Sequence, residues 1–523
     1  MRTDPRELHG STQDLIVVGA GIQGAAIARD AAARGLRVVL VDARDLAAGT
    51  SSRSSRLVHG GLRYLKQGHL ALVREALQER ERLLRSCPHL VRPLPMLMPF
   101  FREGGVSPLA MRVGTALYAR LAGHSTLPRP RRLDADAAVA AFPGLRRQGL
   151  RHAIEFFDAA TQDTRLTLAN VLAAAAAGAK IVTHCAVVGG GGDGLYLVDA
   201  LTDIETIVRA RHVVNATGPR ADALRAALHA AGEPLVRQSR GSHLVLPPRA
   251  GETALAAFLP DGRIQFVVPH QDGTLCGTTD VDDELAGDEG APPAADVDYL
   301  LDSLRFLMDP APAAADVRFA YAGWRSLPAG KGPPGALNRE AFVVDEDIAS
   351  GRLHTIVGGK LTTHRSLAER VVRRIFDLRE ASPTRGQSLP GGDGPREVTE
   401  PLWWRHGSRA ALVRDLVDEE PAWRQPLCPH RPFLAAELVH ALRHDGAVTF
   451  ADTMLRRLVH SQGPCLEESC LLAAHALFLR ERQWPVDDDP ALARAELRLE
   501  VEAMTGDLDV LRAHAAAVTA AHT

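Results

Sequence analysis

The sequence predicts a mixed α/β protein that ends in a helical region. Three observations lead there. An apolar run, a glycine-rich turn and an alanine-rich periodic segment follow one another near the N-terminus. Strand-like runs then recur as far as residue 357. Beyond a Gly/Pro-rich segment at 388–395 the composition turns to Ala, Leu, Arg and Glu. At 523 residues the chain is long enough for several domains of about 100–200 residues each.

Residues 14–18 form an apolar run that ends in glycine and suits a buried parallel strand. Helical periodicity follows over 22–34 with Gly35 as C-terminal cap, and 37–41 gives a second strand, completing a βαβ unit. The apolar spacing of 70–84 is that of an amphipathic helix. Residues 91–132, rich in proline and arginine, read as irregular. An alanine-rich helix is expected over 164–177, and strands over 180–188, 195–200 and 207–214, with a Gly-rich turn at 189–194. Strand signals recur at 243–246, 264–268 and 353–357, and a helix starts at Thr362. Residues 388–398 read as a linker and 399–523 as a separate all-α domain, with periodic stretches at 434–443, 467–481 and 490–516. No repeat of roughly 20–50 residues stands out, which argues against a solenoid.

Composition excludes several classes. With 46% hydrophobic and 24% charged residues, disorder is not the dominant state. The 61 basic side chains against 63 acidic ones leave a net charge of -2, without the positive excess of a nucleic-acid binder. Six cysteines, Cys87, Cys185, Cys276, Cys428, Cys465 and Cys470, include no Cys-x-x-Cys pair. Their spacing indicates neither a zinc knuckle nor a disulfide framework, so no metal is expected and a reducing cytoplasmic setting fits. No apolar run reaches the roughly 18–20 residues needed to cross a bilayer, which leaves peripheral contact with the membrane face open.

The chemistry begins at GAGIQG, residues 19–24. Gly19 makes the tight turn, Gly21 lets backbone approach a pyrophosphate, and Gly24 lets helix and strand pack closely. Asp42 ends the second strand, where an acid accepts hydrogen bonds from a ribose. Together these parts indicate a dinucleotide site. Three further glycine-bearing segments, GTSSRSSRLVHGGLRYL at 49–65, NATGPR at 215–220 and VGGKLTTHR at 357–365, suggest a large cofactor threaded through one domain.

These segments, with GSH at 241–243 and GTTD at 277–280, resemble the respiratory FAD-dependent glycerol-3-phosphate dehydrogenases. The resemblance runs from residue 14 to about 392 and more loosely through the tail. It implies a Rossmann-like FAD-binding domain with an interleaved mixed-sheet substrate (cap) domain, the FAD-dependent oxidoreductase region spanning 12–390. FAD-binding segments fall at about 12–90, 150–235 and 340–385, and cap segments at about 91–149 and 236–339. FAD is expected on Gly19, Gly21, Gly24, Asp42, Thr50, Ser51, Ser52 and Ser55, with contacts at Val187, Gly218, Gly359, Lys360 and Leu361.

The substrate implied by the resemblance is glycerol 3-phosphate, a phosphate dianion for which guanidinium forks are suited. By motif position Arg63, Arg325 and Arg339 are the candidate phosphate ligands, and Tyr64 is either a further polar contact or packs against the flavin. In the reaction so implied, the C2 hydroxyl gives its proton to His243 or a nearby base, and hydride passes from C2 to flavin N5. Lys360 belongs to a chain with only four lysines, the others being Lys66, Lys180 and Lys331, so its place in GGKL points to a specific role beside the flavin. The resemblance also implies that electrons pass to a membrane quinone; the apolar and arginine-rich stretch 91–132 is either the docking surface or an ordinary buried cap segment, and a homodimer is compatible with the sequence. Two rivals stand beside this reading: an FAD-dependent amine or amino-acid oxidase, and a flavin-binding scaffold without turnover.

Overall fold

The computed structural model describes all residues except 62–67, 104–113, 115, 119, 124, 231, 250, 271–272, 284–289, 331–339, 395–399, 459–464, 466, 484–488 and 522–523. Its first sheet is built on the βαβ unit, β1 (Thr12–Val18), α1 (Ile22–Ala33) and β2 (Val38–Val41). To these it adds β3 (Lys180–Val182), β4 (Glu205–Asn215) and β5 (Gly351–Val357). The parallel order is β5-β4-β1-β2-β3, with the strand Phe342–Ile348 antiparallel on the outer edge of β5.

The side-chain alternation of β1 explains how this sheet is covered. Leu15 and Val17 point to a core made with α1, α2 (Asp163–Ala176) and α3 (His364–Ile375). Ile16 and Val18 point the other way, under the antiparallel strands Cys185–Gly191 and Gly194–Asp199. The alanines of α1 allow this helix to pack closely between its two helical neighbours.

Among the described residues the second sheet has ten strands, and it supplies the cap. Its longest strands pair as Val91–Phe101 with Leu150–Thr161, and Val236–Leu246 with Phe319–Pro328. The sequence reading took 91–132 as irregular because of its prolines, whereas 91–101 is a buried strand. Pro93, Pro95 and Pro99 share one parity, so their missing N–H groups fall on a single edge and the other edge pairs along its length with 150–161. On its remaining neighbour, Ala254–Phe258, the strand pairs only at Met96 and Leu97. Since Met96, Met98 and Phe100 are buried, this part of the expected membrane surface belongs to the interior.

The C-terminal region is helical, as read, with two additions: a hairpin formed by Pro426–Cys428 and Arg431–Leu434, and a π-helical turn at Asp452–Arg457. Phe433, Leu471 and Phe478 share one continuous core with Met96 and Phe156 of the cap sheet. A buried ion network joins the π turn to the first sheet. Arg457 binds Asp45 through two bonds of 2.7 and 2.9 Å, and Arg456 reaches the same carboxylate at 2.6 Å. Among the described residues, no helix is long and apolar enough to cross a membrane.

Candidate active site

Both sheets open onto one cavity of about 1200 Å³. The turn after β1 forms its first wall. Gly21 caps α1, and the Ile22 N–H donates to Ser51 Oγ at 2.9 Å, binding the 49–55 loop to the helix start. Gly24 lies beneath: a Cβ there would overlap the Gly19 carbonyl oxygen, which only backbone movement could relieve. Asp42 closes the far side of this turn, its carboxylate accepting from Ala20 N at 2.6 Å and Arg44 N at 2.9 Å. Burial raises the Asp42 carboxyl above its ordinary range against these two bonds.

The loop after β2 is fastened to the cap. Thr50 Oγ1 donates to the Trp324 carbonyl at 2.6 Å, and Tyr321 OH donates to the Ser54 carbonyl at 2.8 Å. Thr50, Ser51 and Ser55 line the cavity. Ser52 is absent from that lining; its hydroxyl donates to the Gly49 carbonyl at 3.0 Å within the tight turn Thr50–Ser52. Val187, Gly218, Gly359, Lys360 and Leu361 come from three other points of the first sheet and converge on the same space. Thr362 Oγ1 joins this turn to His59, accepting from its N–H at 3.1 Å and donating to its carbonyl at 3.2 Å.

The cap wall carries His243 and Arg325. Strand register places Ser239 opposite Arg325, Gly241 opposite Gly323 and His243 opposite Tyr321, so these residues share one face of the sheet. A Cβ at Gly241 would overlap the Arg325 guanidinium, and one at Gly277 would overlap the His243 ring; both motif glycines leave room for a side chain of the cavity wall. Arg325 is held by Thr278 Oγ1 at 3.1 Å, the Thr279 carbonyl at 3.2 Å and Asp280 at 3.3 Å. His243 Nε2 lies 2.8 Å from Ser55 Oγ, and its ring stacks on Tyr321 with centroids 4.9 Å apart. Burial, followed by the charges of Arg325 and Arg56, pushes the His243 imidazole down to about 3. It is therefore neutral over the physiological range.

The cavity thus joins the dinucleotide turn, the hydroxyl loop, Lys360, His243 and Arg325. The Gly-lined helix start, the Asp42 carboxylate and the continuous length of the space fit an FAD molecule. Arg63, Tyr64 and Arg339 lie outside the described residues. Sequence reasoning passed over Thr278 and Asp280, which fix Arg325, and Tyr321, which backs His243. The GTTD motif was the available signal for the first two, while nothing in the sequence marked Tyr321.

Residues 14–365 match the family described as FAD dependent oxidoreductase, and residues 352–485 match the C-terminal domain of alpha-glycerophosphate oxidase. The chain is 33% identical to a glycerol-3-phosphate dehydrogenase of Synechocystis sp., covering 87% of this chain and 90% of that protein. It is 38% identical to D-erythritol 1-phosphate dehydrogenase of Brucella abortus, over 73% of this chain and 78% of the relative. A glycerol-3-phosphate dehydrogenase from Bacillus halodurans, solved in complex with FAD, superposes with a TM-score of 0.73 at 27% identity, covering 95% of this chain and 96% of that one.

Proposed function

This chain belongs to the FAD-dependent glycerol-3-phosphate dehydrogenase family, and on that premise we propose that it oxidises sn-glycerol 3-phosphate to dihydroxyacetone phosphate. The observation that carries the reading is the sharing of one cavity by the dinucleotide turn and by His243 and Arg325. In this reading Gly19, Gly21 and Ser51 hold the pyrophosphate, and Asp42 a ribose. Val187 and Gly218 flank the nucleotide half, while Thr50, Ser55, Gly359 and Leu361 flank the ring.

Bound FAD supplies the two-electron acceptor that takes the C2 hydrogen with its bonding pair. The chain's own groups handle charge and proton. Arg325, braced by Thr278 and Asp280, presents its fork to the phosphate dianion, and Arg63 and Arg339 complete the clamp with Tyr64 as a further contact. The C2 hydroxyl takes the place of Ser55 Oγ beside His243 Nε2 and donates to it, and the neutral imidazole takes that proton. A dianion on Arg325 cancels one of the charges that depress His243, so substrate binding strengthens the base it uses. Lys360 adds a fixed cation that offsets negative charge in the cavity. Electrons then pass to a quinone, reached by peripheral docking on the cytoplasmic membrane face.

Anaerobic addition of glycerol 3-phosphate to the FAD-loaded protein tests the reading. Bleaching of the flavin absorbance, with dihydroxyacetone phosphate formed in equal amount, is expected; no bleaching, or bleaching only by sarcosine or D-amino acids, overturns it. Reoxidation by a short-chain quinone faster than by oxygen supports the acceptor. A second reading is favoured by the relative from Brucella abortus, namely a four-carbon polyol phosphate as preferred substrate. Comparing kcat/KM on the two phosphates separates them.

A further inference from the structure

Away from the flavin cavity, the described residues contain two clusters of metal-type ligands. One, formed by Asp45, His184 and Asp452, is already answered by Arg456 and Arg457. The other consists of Cys428, His430, Cys465 and Cys470, whose ligand atoms all lie within 4.8 Å of one another. We propose that these four residues form a structural zinc(II) site.

Two edges of the cluster have the length that a tetrahedral zinc site requires. His430 Nδ1 stands 3.5 Å from Cys465 Sγ and 3.4 Å from Cys470 Sγ. With zinc–sulfur bonds of about 2.3 Å and zinc–nitrogen bonds of about 2.05 Å, a nitrogen-to-sulfur edge of a tetrahedron spans about 3.6 Å. One nitrogen nearly equidistant from two thiols matches two such edges. All six cysteines are free, so no disulfide accounts for the convergence.

Two segments far apart in sequence build the site. Cys428 ends a short strand and His430 sits in the turn before Arg431–Leu434, a hairpin knuckle. Cys470 lies in the first turn of α4 (Glu468–Glu481), and Cys465 precedes that helix. Four protein ligands leave no open position, and none of them lines the flavin cavity, so the metal holds structure and takes no part in turnover. Binding releases the three thiol protons to solvent and moves no electrons. Thiolate-rich tetrahedral sites select zinc over magnesium, calcium or manganese. The ion would pin the hairpin to α4 beside Phe433, Leu471 and Phe478, where the tail meets the cap core.

The test uses the full-length, FAD-loaded protein, purified without a metal-affinity step and analysed by elemental mass spectrometry. About one zinc per chain is expected, released in step with mercurial titration of three thiols. Cys465→Ser, at a half-exposed ligand, should drop zinc to below about 0.2 per chain with flavin content retained and a lower Tm. His430→Asn, in the exposed turn, should lower zinc affinity by about tenfold or more, read by competition with a chromophoric chelator. Zinc below about 0.1 per chain from zinc-replete cells, iron in its place, or full zinc retention in both variants overturns the proposal. Should the variants fail to fold, the metal and thiol stoichiometry of the unsubstituted protein decides alone.

Discussion

The guanidinium of Arg325 fills the space that a side chain at Gly241 would occupy. The two residues sit on neighbouring antiparallel strands, and the glycine of the GSH motif is thereby explained by a cation on another strand. Gly241→Ala should push the guanidinium aside without touching the dinucleotide turn. We expect KM for glycerol 3-phosphate to rise about tenfold or more with flavin content unchanged, as for a loss of about 1.4 kcal/mol or more of binding. Steady-state kinetics and the flavin-to-protein absorbance ratio check this.

Arg325→Ala removes the charge itself. Truncating one partner of a buried charge pair costs about 2–5 kcal/mol, so kcat/KM should fall by at least about 30-fold, mostly through KM. Arg325→Lys should recover only part of it, since an ammonium lacks the two-pronged fork. An unchanged KM in both variants would remove Arg325 from the phosphate site.

His243→Gln keeps a polar side chain of similar reach but cannot take a proton. We expect kcat to fall by about 10²–10⁴-fold, with anaerobic flavin reduction becoming equally slow in single-turnover experiments. A normal reduction rate would assign His243 to packing against Tyr321 alone.

Four buried histidines make the fold acid-sensitive. Burial pushes His89, His243 and His406 down to about 3 and His364 down to about 4. Above a pH of about 6.5 both folded and unfolded chains hold them neutral; below it only the unfolded chain takes up protons. Stability is therefore fully present above about 6.5 and is lost as the pH falls toward the folded-state values, each residue removing up to about 1.4 kcal/mol per pH unit. The Tm should fall continuously between pH 6.5 and pH 4.5, and His89→Gln should flatten that fall. A Tm independent of pH across this window would contradict the assignment.

Asp45→Ala would leave Arg457 and Arg456 buried around a missing carboxylate. The expected cost is about 3–5 kcal/mol, seen as a lower urea midpoint. Asp45 lines no part of the cavity, so turnover per folded molecule should persist.

The dinucleotide turn was legible because its constraints are local: Gly19, Gly21, Gly24 and Asp42 act within one βαβ unit, so their spacing carries the geometry. The cap strands were harder to read. Only 243–246 of Val236–Leu246 looked like a strand, since its first half, Arg237, Gln238, Ser239, Arg240 and Gly241, lacks an apolar alternation. Strand Phe319–Pro328, which carries Arg325, gave no recognised signal, and the prolines of Val91–Phe101 disguised an interior strand. The thiol cluster escaped because its halves are brought together by tertiary folding: His430 and Cys465 are 35 residues apart. Cys-x-His followed by Cys-x-x-x-x-Cys is the pattern that would have found it.

The oily wall shared by Phe433, Leu471 and Phe478 with Met96 and Phe156 sets a limit on how this polypeptide can be shortened. Severing everything after residue 398 would not liberate a minimal flavoenzyme. It would uncover the very face of the sheet whose Met96, Met98 and Phe156 also wall the flavin cavity, and water would enter that space from the side.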